Sequence, residues 1–131
     1  MTNILAIETS SDACSIALCK RDEDFLFHDV MPQQHTKKLL PLIDEMLINQ
    51  DLSYQNLDAI AVGCGPGSFT GVRLACSVAQ GLSYSLGISA IKVSSLEVMA
   101  EHFNTKYQAK KVVTLVNAHM GQIYLGIFEY E

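Results

Sequence analysis

Near the start of the chain, three short runs set apolar against polar positions with the period of a strand. Asn3 to Thr9 is nearly continuous in apolar residues. Ala13 to Cys19 alternates Cys14, Ile16 and Leu18 with Ser15, Ala17 and Cys19, and Phe25 to Val30 makes a third run. The separators, Ser10-Ser11-Asp12 and the charged Lys20 to Asp24, are short, so the pattern predicts an antiparallel meander.

The period then lengthens. Over about 36 to 50, the apolar residues Leu39, Leu40, Leu42, Ile43, Met46 and Leu47 fill a helical arc of roughly 160°, wider than the ~100° stripe of an ordinary surface helix. Pro41 lies inside this pattern and either kinks the helix or sits in its first turns. A buried strand over 57–63 follows, then a turn rich in glycine, then a helix from about Thr70 to Leu86 that Gly87 ends. Ile88 to Val93 reads as a short strand, and Ser94 or Ser95 caps a third helix to about Asn104. Val112 to Val116 and Ile123 to Phe128 read as strands around the turn Met120-Gly121. The order is βββαβαβα with a ββ start after it. Residues 1–108 are expected to form one lobe, and 109–131 the opening strands of a second lobe that is otherwise absent.

Composition narrows the function classes. The chain has 131 residues, 49% of them hydrophobic and 18% charged, which suits one globular unit. Its net charge of -5 and a longest basic cluster of Lys110-Lys111 argue against direct binding of tRNA or other nucleic acid. Cys14, Cys19, Cys64 and Cys76 show no Cys-x-x-Cys pair, and the start shows no export signal, so a cytoplasmic setting is expected. No apolar run approaches the roughly 20 residues that span a bilayer.

Candidate chemistry centres on Gly63-Cys64-Gly65-Pro66-Gly67-Ser68-Phe69-Thr70-Gly71. Backbone amides at a helix N-terminus make an anion site. The turn lacks the Gly-Lys-Ser/Thr of a P-loop, and Ser68 stands where a dinucleotide fingerprint has its third glycine. It either cradles an anion, with Thr9, Ser10, Gly65, Gly67, Ser68 and Thr70 as the candidate loop, or it brings a helix close to a strand. The loop Glu8-Thr9-Ser10-Ser11-Asp12 likewise reads as a metal-phosphate holder or as a plain turn. His28, His35, His102 and His119 lack metal-ligand spacing, and Ser68 is not in a Gly-x-Ser-x-Gly elbow, so no metal and no catalytic residue is expected.

The helix after the turn carries a single charge, Arg73, and small residues in two rows, Gly71, Ala75, Ala79, Ser83 and Ser77, Gly81, Ser85. A helix this weakly polar needs cover on nearly all sides, from its own domain or from a partner. Together with the wide arc on the 36–50 helix, that favours a two-helix docking surface. The contacts expected there are Leu39, Leu42, Ile43 and Met46, with Arg73, Leu74, Ala75, Val78 and Leu82.

These stretches resemble the TsaB (YeaZ) family. The match runs through Ile4-Leu5-Ala6-Ile7-Glu8-Thr9-Ser10, Ala13-Cys14-Ser15-Ile16-Ala17-Leu18 and Gln34-His35-Thr36-Lys37-Lys38-Leu39-Leu40-Pro41. It continues through Gly65 to Arg73, Ala79-Gln80-Gly81-Leu82, Val93-Ser94-Ser95-Leu96 with Met99-Ala100, and Met120-Gly121-Gln122-Ile123-Tyr124. The resemblance implies an α/β lobe of the actin/Hsp70/sugar-kinase (ASKHA) type, with a mixed five-stranded sheet and helices. It also implies a non-catalytic scaffold in tRNA threonylcarbamoyladenosine (t6A) modification. Its helices would dock the enzyme TsaD, or a second copy as a homodimer, with the ATPase TsaE as a further partner and no cofactor. An ATP-dependent phosphotransferase of the same superfamily is the alternative, and a metal-dependent peptidase a remoter one. Three departures stand out: Asn117-Ala118-His119 replaces the family's usual Asp-Ala-Arg, Glu8 stands where Asp is commoner, and Cys64 replaces a basic or small residue.

Overall fold

The computed structural model describes residues 2–131. The meander forms as the alternation predicts, as β1 (Asn3–Glu8), β2 (Ala13–Lys20) and β3 (Glu23–Val30). β2 and β3 meet at a two-residue turn, Arg21-Asp22, with φ of 53° and 65°. Positive φ at both central positions is the geometry that matches strand twist in a tight hairpin. It extends pairing to Lys20↔Glu23, so the third strand starts two residues before Phe25.

α1 (His35–Asn49) is one continuous helix with Pro41 inside it. Proline has no N–H for the Lys37 carbonyl, a loss made tolerable by Pro41's exposed position on the outer face. A 3-10 turn at Tyr54–Asn56, unmarked by any apolar period, precedes β4 (Ala59–Gly63). Leu57, expected in the strand, instead caps that turn and is buried. α2 (Phe69–Leu86) ends at Gly87, whose φ of 67° forms a left-handed cap. β5 (Ser89–Val93) and α3 (Ser95–Tyr107) complete the first part.

The five strands lie in the order β3-β2-β1-β4-β5. β1 pairs antiparallel with β2 and parallel with β4, and β4 pairs parallel with β5. One face of this mixed sheet presents Leu5, Ile7, Ile16, Leu18, Ile60 and Val62 to the buried stripes of α1 and α2. The stripes are His35, Leu39, Ile43 and Leu47 on α1, and Gly71, Ala75 and Ala79 on α2. Four-residue spacing puts each stripe on one side of its helix. The other sheet face carries the cross-strand row Leu26, Ala17, Ala6, Ala61 and Ile91.

β6 (Lys111–His119) and β7 (Gln122–Glu129) form a separate antiparallel hairpin, longer at both ends than its apolar runs. It packs against α3, with Val112 and Thr114 buried and the Thr114 hydroxyl donating to the Leu96 carbonyl at 3.0 Å.

Candidate docking face and glycine turn

The glycine turn lies against the loop after β1. The Ser68 N–H donates to the Ser10 carbonyl at 2.7 Å, and the Ser68 hydroxyl caps α2 by accepting from the Gly71 N–H at 3.3 Å. The buried Thr9 hydroxyl donates to the Gly71 carbonyl at 2.6 Å. A Cβ at 67 would lie 2.5 Å from the Ser10 carbonyl oxygen, and one at 71 would overlap the Thr9 carbonyl oxygen. Gly65 contributes its carbonyl, which accepts from the Ser95 N–H at 2.8 Å.

Thr9, Ser10, Gly65, Gly67 and Ser68 are thus brought together, with the Ser68 amide, the Thr9 and Ser10 hydroxyls and the Gly65 carbonyl engaged by Ser10, Gly71 or Ser95. That geometry favours the close-packing reading of the glycines. Thr70 is exposed and lines a cleft of about 410 Å³ together with Ser68, Ser11, Asp12, His35 and Thr36. The Asp12 carboxylate there works against an anion.

Glu8 is similarly occupied. One carboxylate oxygen accepts from the Ser10 N–H at 2.9 Å and the other from the Ser95 hydroxyl at 3.2 Å, over the bare Cα of Gly63. No group of three or more metal-ligating side chains occurs among the described residues. The His35 Nε2 donates to the Ser11 carbonyl at 2.6 Å, pinning the start of α1 to the same loop. Burial pushes the Cys14 and Cys76 thiols up, and the Asp24 hydrogen bond does the same for Cys19. These are poor thiolate nucleophiles.

The nine residues expected on the docking surface fall into four groups. Leu39, Ile43 and Ala75 are fully buried in the chain's own core and offer nothing to a partner, which corrects the expectation for them. The wide arc on α1 merged a sheet-facing stripe with its flanks. Leu42 and Met46 are half-buried and line a groove with Phe25 and Phe27 of β3. Leu74, Val78 and Leu82 are half-buried beside the core. Arg73 is exposed, its guanidinium 4.0 Å from the centre of the Phe69 ring.

The open surface of the two helices lies elsewhere. On α1, Leu40 is 47% exposed and Ile48 70%, and on α2, Phe69 is 70% exposed and Tyr84 93%. Tyr84 follows the core residue Ala75 by nine positions, about half a turn out of phase at roughly 100° per residue. Ser77, Gln80 and Gly81 are exposed with it, so α2 is not enclosed by its own domain. Helical phase would have located Tyr84 and Ile48 once the core stripe was known.

A family model described as TsaD, tRNA N6-adenosine threonylcarbamoyltransferase, matches residues 29–131. The chain belongs to this family. Within the TsaD family its likeness is to TsaB, as the sequence motifs predict. It is 42% identical over 94% of its length to the tRNA threonylcarbamoyladenosine biosynthesis protein TsaB of Haemophilus influenzae, covering 52% of that protein. It is 38% identical over 96% of its length to TsaB of Escherichia coli K12, covering 54%. The structure of YeaZ from Pseudomonas aeruginosa superposes with a TM-score of 0.96 at 35% identity, covering all of this chain and 62% of that one. The fold is therefore the ASKHA-like α/β lobe of TsaB and TsaD proteins. The chain spans little more than half the length of the curated TsaB relatives it matches.

Proposed function

We propose that this chain takes part in tRNA threonylcarbamoyladenosine biosynthesis as a non-catalytic scaffold. It docks the threonylcarbamoyl-transferring enzyme TsaD through α1 and α2, with TsaE as a third partner, and pairs with a second copy when TsaD is absent. The reading rests on one observation: the outer face of α2, nearly free of charge, stands open to solvent with Tyr84 at its end and Ile48 of α1 exposed on the neighbouring helix. Exposed aromatic and aliphatic anchors on a weakly polar face are the usual makings of an interface. The names of the TsaB relatives supply the pathway. The engaged amide of Ser68 and the braced carboxylate of Glu8 weigh against the phosphotransferase alternative.

On this reading residues 1–108 are the docking lobe, 109–131 open a second lobe, and the protein works in the cytoplasm. No helix among the described residues is long and apolar enough to cross a membrane.

The test is mass in solution, by sedimentation, with and without TsaD, for the natural chain and for Tyr84→Glu and Ile48→Glu. Each variant should keep its unfolding midpoint and bind at least about tenfold more weakly. Unchanged association in both would sink the docking face. Magnesium-dependent ATP turnover by the isolated chain would sink the scaffold role.

A further inference from the structure

We draw no further inference here: the strongest candidate, the outer face of the β6–β7 hairpin where Val113, Leu115, Leu125 and Ile127 stand more than half exposed, carries nothing because nothing in the structure shows what covers it.

Discussion

Thr9 and Gly71 interlock: the Thr9 hydroxyl donates to the Gly71 carbonyl, while the Thr9 carbonyl occupies the space where a side chain at 71 would begin. Gly71→Ala therefore forces backbone apart and should cost about 2–4 kcal/mol of stability. Gly81, ten residues on in the same helix, has no neighbour within 4 Å of a built Cβ. Gly81→Ala should stabilise by about 0.5–1 kcal/mol, because alanine is the better helix former. Urea unfolding of the two variants checks the contrast, and equal effects would refute it.

Thr9→Val keeps the shape and removes the hydroxyl. The expected loss is about 1–2 kcal/mol, for one buried hydrogen bond with its carbonyl left partly unpaired. A change below about 0.3 kcal/mol in the same assay would mean the bond contributes little.

Leu39→Ala and Ala79→Glu test where the helices face. Both positions are sealed against the sheet. The first should cost about 2–5 kcal/mol by opening a cavity, and the second should unfold the chain by burying an unpaired charge. Circular dichroism melts decide. A fully folded Ala79→Glu protein would place α2 differently from the packing described above.

The core and strand pattern was legible in the sequence because Cys14, Ile16 and Leu18 alternate and the stripes of α1 and α2 repeat every four residues. What the sequence could not separate was the α1 arc. Leu39 and Leu40 are adjacent and chemically identical, yet one is sealed and the other half open, and only the position of the sheet distinguishes them. The 3-10 turn at Tyr54–Asn56 was illegible for another reason: Ser53 and Asn56 hold it by side-chain hydrogen bonds, which leave no apolar period. The glycine turn was ambiguous because close packing and anion binding ask for the same residue. The Ser10 carbonyl, distant in sequence, decides what the Ser68 amide faces.

Phosphate should leave that amide unmoved. In a nitrogen-proton correlation spectrum, the Ser68 signal is expected to shift negligibly on raising inorganic phosphate to about 20 mM, since its N–H already has an acceptor. A saturating shift there would revive the anion reading.

Alkaline pH should weaken the fold. Burial pushes the Cys14 and Cys76 thiols above their ordinary 9.0, and burial with the Asp44 hydrogen bond pushes the Tyr54 phenol above its ordinary 10.0. All three groups hold their protons more tightly folded than unfolded. Their contribution is full below the unfolded values and is lost as pH climbs through the folded ones. The urea midpoint should fall between about pH 8.5 and pH 11, and a variant with Cys14→Ala, Cys76→Ala and Tyr54→Phe should fall less steeply. Parallel slopes would assign the loss to other groups.

The bonds that tie Ser68 to Ser10, Gly71 to Thr9 and Ser95 to Gly65 are made largely by the main chain. The pitch of α2 on the sheet is thus written into the backbone of three loops and hardly at all into the side chains on its outer surface. Arg73, Ser77, Gln80 and Tyr84, exposed on that surface, can therefore be exchanged while the helix that displays them keeps its aim.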